Sequence, residues 1–313
     1  MMRFQSDYWA LIIGGSSGFG LAAAQKLAAH GMNICIVHRD RKSAMRRIAP
    51  AFEELRGTGV NVVTFNLDGL TEQGRQSVLD SLEDSLGESG RVRLLLHAVA
   101  FGNLKLLAPY GAPDAARPAR EKLAREVGAS PEELHRIARE AFDEGRDALH
   151  ALIDSEADYD NARFLDQDDF SRTIQAMGYN IVQWAQDLLG RRMFAPDARV
   201  VSLTSEGNSV AWRGYAAVSA AKAALESVAR SMAVELAPRG IRSNVIQAGV
   251  TDTPGLRAIP GNQRISAQSR LRNPFGRLTT PQDVANVIFL LCLDEAAWIN
   301  GALICADGGE RIG

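Results

Sequence analysis

The chain is poor in several features that would place it in a special class of protein. Its 313 residues include only 3 cysteines; Cys35, Cys292 and Cys305 lie far apart without CxxC spacing, which argues against a disulfide framework or a cysteine zinc site. Neither sign of charge dominates, because 35 Lys and Arg face 37 Asp and Glu, so no basic field attracts nucleic acid. The hydrophobic content of 46% is that of an ordinary globular domain.

Long hydrophobic runs are also missing. The run at 8–13 stops at Gly14, too early for the apolar core of a signal peptide. The run at 287–293 is far below the roughly 18 apolar residues that cross a bilayer. We therefore expect a cytoplasmic protein without nucleic-acid or membrane partners and without a bound metal.

What the chain does contain is an alternation of short apolar runs with helical patterns. Strands separated by helices of this length predict right-handed βαβ crossovers, and apolar strands without alternation fit a parallel sheet covered on both faces. The prediction is an α/β, doubly wound parallel sheet of the Rossmann type in one domain over 1–313. Strands are predicted at 10–13, 33–37, 60–65, 92–99, 199–203, 243–247 and 302–305, and helices at 18–30, 43–56, 71–86, 170–189, 215–236 and 281–292.

The alternation stops between the fourth strand and the helix at 170–189. A loop over 108–118 and a short helix at 118–127 precede the capping box Ser130-Pro131-Glu132-Glu133, which opens a second helix to about 153. This predicts a helical insertion over 104–165. Since the fourth strand ends at the cleft of an open α/β sheet, the insertion could be a lid or pocket wall. A decorative hairpin or an oligomer contact is the alternative.

A glycine-rich turn joins the first strand to the first helix, with the sequence Gly14-Gly15-Ser16-Ser17-Gly18-Phe19-Gly20. Glycines let the backbone turn sharply and approach a pyrophosphate, and the helix N-terminus offers free N–H groups and a positive dipole end. The turn therefore predicts a dinucleotide site. Its expected contact residues are Gly14, Ser16, Ser17, Gly18, Phe19 and Gly20.

The ends of the second and third strands bear on which dinucleotide binds. His38 and Arg39 stand where an acid would bind the ribose of NAD, and a cation there suits the 2′-phosphate of NADPH. Asp40 keeps NADH possible. Asn66 and Leu67 end the third strand, where an adenine would lie and where the Asn66 amide could bond its edge.

The chain resembles the short-chain dehydrogenase/reductase family. The resemblance rests on the glycine turn and on the stretches at 222–227, 234–244 and 306–309, of which the last reads Ala-Asp-Gly-Gly. It covers about 8–102 and 170–312, which is all of the chain except the insertion. The family resemblance implies a Rossmann-type fold, a nicotinamide cofactor and a homotetramer.

The spacing of two residues resembles one branch of that family. Ordinary members place a tyrosine four residues before the lysine, but here Val218 stands four before Lys222 and Tyr215 stands seven before it. Tyr-x6-Lys is typical of the enoyl-acyl-carrier-protein reductase branch, and the stretch at 96–101 resembles the strand-four motif of that branch. Ser205, ten residues before Tyr215, falls where ordinary members hold a catalytic serine.

The resemblance assigns roles to these residues. Tyr215 would donate to the developing enolate oxygen, Lys222 would hold the nicotinamide ribose, and Ser205 would be a second donor or position Tyr215. Because residues seven apart lie two turns apart on one helix face, the donor stands farther from the nicotinamide than in a ketone reductase. Further cofactor contacts are expected from Ala98, Val99, Ala100, Gly249, Val250 and Thr251, and substrate contacts from Phe101, Tyr179 and Tyr215.

The implied activity is NADPH-dependent reduction of a trans-2-enoyl thioester, with an acyl carrier protein as partner. The alternatives are a short-chain carbonyl reductase or dehydrogenase and a non-catalytic NADPH-binding protein. The segment 253–273 is expected to be the substrate-binding loop, and its arginines could meet a carrier protein, a phosphate or only water. His97 is expected to be a structural residue at a strand end.

Overall fold

One parallel sheet organises the molecule, which we describe from a computed structural model covering residues 3–110, 117–143 and 159–313. The seven strands of the described residues follow the order β3-β2-β1-β4-β5-β6-β7, and every neighbouring pair is parallel. The predicted doubly wound sheet is confirmed. The strands are β1 (Tyr8–Ile13), β2 (Asn33–His38), β3 (Val62–Asn66), β4 (Arg91–His97), β5 (Phe194–Thr204), β6 (Arg242–Ala248) and β7 (Leu303–Ala306).

The described residues form eleven α-helices, of which some cover the two faces of this sheet and others lie in the insertion or in the segment after β6. They are α1 (Gly18–Ala29), α2 (Lys42–Arg56), α3 (Glu72–Leu86), α4 (Arg117–Val127), α5 (Pro131–Asp143), α6 (Gln167–Ile174), α7 (Asn180–Gly190), α8 (Ala216–Glu235), α9 (Pro254–Arg257), α10 (Asn262–Arg272) and α11 (Pro281–Leu291). None of the helices within the described ranges is long and apolar enough to span a bilayer.

The two faces of the strands build two apolar cores. Because successive side chains of a strand point to opposite faces, β1 sends Ala10 and Ile12 into the core beneath α1, α2 and α11. It sends Leu11 and Ile13 into the core beneath α3, α7 and α8. Central strands buried on both sides need apolar residues at every position, which explains the continuous apolar runs of the sequence.

Three predicted elements differ in the structure. The segment 253–273, predicted as a loop, contains α9 and α10, and the Thr253 side chain caps α9 by accepting the N–H of Leu256 at 3.2 Å. The helix predicted at 170–189 is divided by a π-helical turn, Gln175–Tyr179. Strand β5 begins at Phe194, five residues before its predicted start, because it continues past a register shift opposite β4.

The insertion leaves the sheet after β4 and returns through a narrow neck. Leu106 and Phe164 form a parallel bridge, and the Leu165 N–H donates to the Leu106 carbonyl at 2.9 Å. Helix α4 begins and ends close to its predicted position, α5 begins at the predicted capping box, and Ala124 packs with Leu134 of α5. The predicted continuation of the second helix to about 153 lies outside the described residues.

Candidate active site

Two adjoining cavities follow the carboxyl edge of the sheet, where an open α/β fold binds its ligands. The glycine-loop cavity, about 320 Å³, lies between the β1–α1 turn and the ends of β2, β3 and β4. The tyrosine cavity, about 370 Å³, lies between the ends of β5 and β6 and the start of α8. Both are lined by Phe19, Ala98, Val99, Ala100, Thr253 and Pro254. Together they form one elongated cleft.

The β1–α1 turn has the shape that a pyrophosphate needs. Gly14, Ser16, Ser17, Gly18 and Phe19 line the glycine-loop cavity, as expected for a dinucleotide site. Gly20 does not line it; a Cβ at Gly20 would collide with the Gly14 carbonyl, so this glycine permits the close packing of turn and helix. Since no side chain caps α1 at Ser17, the first N–H groups of the helix remain available to an anion.

The end of β2 brings a cation to the same cavity. His38 is buried, and its Nδ1 lies 2.9 Å from the Asp40 carboxylate. Arg39 is half exposed, donates to Asp68 at 2.6 Å, and places its guanidinium carbon 5.0 Å from the ring centre of Phe101. Both His38 and Arg39 line the cavity. Asp68 also lines it and was not predicted, because nothing in the local sequence pairs it with Arg39.

Asn66 and Leu67, at the end of β3, have different surroundings in the structure. Leu67 lines the glycine-loop cavity, as expected. Asn66 does not; its side chain accepts the Asp40 N–H at 2.9 Å and donates to the Asp40 carbonyl at 3.1 Å. The amide that the sequence assigned to an adenine is thus engaged in holding the β2 turn.

Two predicted substrate contacts lie away from the tyrosine cavity. Phe101 lines the glycine-loop cavity under Arg39, on the cofactor side of the cleft. Tyr179 is 41% exposed and lines neither cavity, because it ends the π-helical turn, whereas Met177 of that turn does line the tyrosine cavity. A regular helix was assumed for this segment, and the extra residue of the π turn changes which side chains face inward.

Tyr215, Lys222 and Ser205 meet in the tyrosine cavity. Tyr215 immediately precedes α8, Lys222 lies two turns further on, and Ser205 follows β5. The Lys222 Nζ donates to the Leu203 carbonyl at 2.8 Å, and burial lowers the pKa of Lys222 to about 8, although the nearby Glu226 carboxylate opposes this. The ammonium group is therefore fixed at the end of β5.

Burial shifts the pKa of Tyr215 upward, opposite to that of Lys222, because it disfavours the charged phenolate. The pKa of Tyr215 is raised by this burial and lowered by the smaller effect of the Ser205 hydroxyl, with a net rise. The Ser205 hydroxyl is close enough to the phenol to affect its pKa. Among the described residues, however, the Ser205 Oγ makes no hydrogen bond of normal geometry. The Tyr215 phenol thus stays protonated at neutral pH.

The loop between β5 and α8 holds the Tyr215 ring in place. A Cβ at Gly207 would lie 2.5 Å from Cε1 of the ring, so only glycine fits against it. The ring of Trp212 packs from another side, with 5.7 Å between ring centres. Thr204 donates to the Glu226 carboxylate at 2.7 Å, which ties the end of β5 to α8.

The end of β6 completes the cavity with Gly249, Val250 and Thr251, which the sequence predicts to contact the cofactor. The Val250 N–H donates to the buried carboxylate of Glu310 at 3.0 Å. That carboxylate also accepts from Arg272 of α10 at 3.3 Å, and Arg272 donates to Glu206 at 2.5 Å. The sequence did not predict these ion pairs, because Arg272 lies 66 residues from Glu206 and 38 residues from Glu310.

His97, at the end of β4, is fully buried and lines neither cavity. Burial, and next the charge of Lys222, lower the pKa of His97 to about 3. The imidazole is therefore neutral at physiological pH and lies behind the site.

Comparison with known proteins places the chain in a family. A sequence model described as Enoyl-(Acyl carrier protein) reductase matches 115–310, and one described as short chain dehydrogenase matches 8–110. The chain therefore belongs to the short-chain dehydrogenase/reductase superfamily, a superfamily of NAD(P)-dependent oxidoreductases.

Individual relatives match only part of the chain, at modest identity. The cis-4-hydroxycyclohexanecarboxylate dehydrogenase of Sinomonas cyclohexanicum is 36% identical over 115 residues, which cover 37% of this chain and 45% of that protein. The NADH-dependent enoyl-acyl-carrier-protein reductase FabI of Escherichia coli (strain K12) is 31% identical over 157 residues, covering 50% of this chain and 58% of that protein. The matched part thus spans about half the length of these curated relatives.

A solved structure matches over the whole fold. The short-chain dehydrogenase of Burkholderia cenocepacia J2315, solved in complex with NADP, superposes with a TM-score of 0.70 at 21% identity. The superposition covers 99% of both chains. At this identity the likeness concerns the fold.

Proposed function

We propose that this protein is an NADPH-dependent reductase of trans-2-enoyl thioesters. One observation carries the proposal: Tyr215 and Lys222 both line the tyrosine cavity, and they are separated by two turns of helix. Val218 occupies the position one turn from Lys222, and it also lines the cavity. A ketone reductase must protonate the oxygen on the carbon that receives hydride. In an enoyl thioester hydride reaches the β-carbon, and charge grows on an oxygen two carbons away. The more distant phenol suits the second case.

The residues of the cleft fit a dinucleotide. The free helix N-terminus beside Ser16 and Gly18 suits a pyrophosphate, and Arg39 beside the same cavity suits a 2′-phosphate. The Asp68 carboxylate on Arg39 leaves NADH as a second possibility. When bound, the reduced nicotinamide would supply the hydride.

The side chains of the tyrosine cavity would then stabilise the developing charge. Tyr215 would donate its phenolic O–H to the enolate oxygen, and the Lys222 ammonium would hold the ribose hydroxyls and keep positive charge near that oxygen. Ser205 would orient the phenol or donate a second hydrogen bond. Preorganised donors of this kind act strongly in a cavity that excludes water.

The carrier of the thioester is part of the proposal. Arg264 of α10 is exposed and lines a space that adjoins the tyrosine cavity, which favours an anionic partner such as an acyl carrier protein. Arg272 of the same helix is already paired with Glu206 and Glu310. Arg257 of the same loop is already paired with Asp252 at 2.7 Å. With this partner the protein would work in the cytoplasm, as a homotetramer, in fatty-acid or secondary-metabolite biosynthesis.

A carbonyl reductase or dehydrogenase is the second candidate. Ser205 beside Tyr215 favours it, because a serine–tyrosine pair suits protonation of a ketone oxygen, and one relative is named as a dehydrogenase of a hydroxy acid. The third candidate is a protein that binds NADPH without turnover, which the complete set of Ser205, Tyr215 and Lys222 argues against.

The test is consumption of NADPH at 340 nm with a trans-2-enoyl thioester and, in parallel, a 3-ketoacyl thioester. We expect oxidation with the enoyl compound. Oxidation with the ketoacyl compound alone would contradict the argument from the position of Tyr215. Tight NADPH binding without turnover of either compound would favour the third candidate.

A further inference from the structure

A third cavity, about 810 Å³ in volume, lies beside the tyrosine cavity. We name it the arginine cavity; it is lined by the loop after β5, by α10 with the turn before it, and by Tyr159 at the end of the insertion. Glu206, Trp212 and Ile259 line both the arginine and the tyrosine cavities. The two spaces therefore meet along these three side chains.

The charges of the arginine cavity are unequal. Its lining holds Arg213, Arg264 and Arg272 but only one carboxylate, that of Glu206. Arg272 is already balanced, because it donates to Glu206 at 2.5 Å and to Glu310 at 3.3 Å. Among the described residues no carboxylate pairs with Arg213 or Arg264, so the lining keeps an excess of positive charge. The tyrosine cavity, by contrast, is mainly apolar.

The neck of the insertion holds Arg213 in position. Its guanidinium carbon lies 4.1 Å from the ring centre of Tyr110, a cation–π contact. The Tyr110 backbone is bound at both its N–H and its carbonyl by the Asn161 side chain, at 2.8 and 3.0 Å. The rings of Tyr110 and Tyr159 meet edge to face, 5.6 Å apart. A guanidinium fixed in this way loses little freedom when it binds an anion.

We propose that the arginine cavity is an anion subsite for the substrate. It binds a carboxylate or phosphate group, attached away from the reacting double bond, through Arg213 and Arg264, while the enoyl group lies in the tyrosine cavity. Guanidinium groups recognise both anions through paired N–H donors. The anion stands either at the far end of the acyl chain or on the arm that carries the thioester. This inference rests on the proposed function, because it starts from an enoyl thioester beside Tyr215.

The kinetic test uses Arg264→Ala and two matched pairs of enoyl thioesters. One pair is the pantetheine thioester with and without its 4′-phosphate. The other is an N-acetylcysteamine thioester whose acyl chain ends in a carboxylate or in its methyl ester. We expect the variant to raise KM for the anionic member of one pair about tenfold or more, with KM of the neutral member and kcat unchanged. The pair that responds identifies the position of the anion.

Two further variants serve as controls. Arg264→Lys keeps the charge and should retain most of the preference for the anionic member, whereas Arg239→Ala removes an exposed arginine outside the three cavities and should change nothing. If the ratio of KM values between anionic and neutral members is the same in wild type and in Arg264→Ala for both pairs, the subsite does not exist.

A binding measurement separates this inference from the proposed function. Glutarate and pantetheine 4′-phosphate are titrated calorimetrically into the full chain loaded with NADP⁺. Weaker binding of either probe to Arg264→Ala than to wild type supports the subsite even if no thioester is reduced. Probes that bind both proteins equally, or that bind neither, overturn it.

Discussion

The proposed chemistry depends first on the phenol of Tyr215. Because burial keeps it protonated and Val218 offers no replacement, Tyr215→Phe should lower kcat about 100-fold or more, the range of a lost general acid. The measurement is steady-state oxidation of NADPH with the enoyl thioester. The affinity for NADPH, followed by nicotinamide fluorescence, should stay unchanged. A variant that turns over as fast as the wild type would remove Tyr215 from the mechanism.

The pKa of Lys222 determines the pH dependence that we expect for the reaction. Burial brings its pKa down to about 8, so the ammonium form dominates below that pH and is lost as pH rises through it. Tyr215 does not titrate in this range, because its pKa is raised. We therefore expect kcat/KM for NADPH to fall above about pH 8, and Lys222→Arg, which stays charged, to move the fall upward. A profile flat to pH 10 in the wild type would contradict this role.

At the scale of elements, the ends of β2, β3 and β4 meet around one guanidinium group. Asp68 after β3 pairs with Arg39 after β2, and Phe101 after β4 lies against it. Asp68 competes with a 2′-phosphate for Arg39, so Asp68→Asn should lower KM for NADPH about fivefold and leave KM for NADH unchanged, since an exposed pair is worth up to about 1 kcal/mol. Asp84→Asn, exposed on α3, is the matched control. An equal change for both cofactors would show that Asp68 does not select between them.

The elements also show what a sequence can predict. The glycine turn, the strands and the tyrosine–lysine spacing are local patterns, and the structure brings Tyr215, Lys222 and Ser205 into one cavity. The π-helical turn before α7, which packs against α8, leaves no such pattern in the sequence, so the position of Tyr179 was missed. Asp68 and Glu310 were missed for a related reason. Each acts through an arginine that is distant in the chain, and one sequence does not reveal that pairing.

At the scale of the whole molecule, Arg93 joins the sheet to its last helix. Its side chain is 1% exposed, donates to the Cys292 carbonyl at 2.9 Å and to Asp294 at 2.9 Å, and lies over the Tyr8 ring at 5.2 Å. Arg93→Met keeps the apolar stem but leaves the carbonyl unpaired. We expect a loss of about 2–4 kcal/mol in the free energy of unfolding, measured in urea.

Arg56→Met, at an exposed position of α2, is the control for that measurement. It should change the free energy of unfolding by less than about 0.5 kcal/mol. Equal losses in the two variants would mean that the buried arginine contributes no more than a surface one.

The neck at Leu106 and Phe164 gives the insertion a particular freedom to evolve. The two ends of the insertion are bridged where they leave the fold. The rest of the fold is therefore constrained only by the short distance between these two ends. The entropy of closing a loop grows slowly, by about 0.6 kcal/mol for each doubling of its length. Most residues beyond the neck can therefore be gained, lost or replaced at small cost to the rest of the fold. The exceptions are Tyr110, which contacts Arg213, and Asn161 and Tyr159, which hold Tyr110; changes there would alter the position of Arg213 beside the active site.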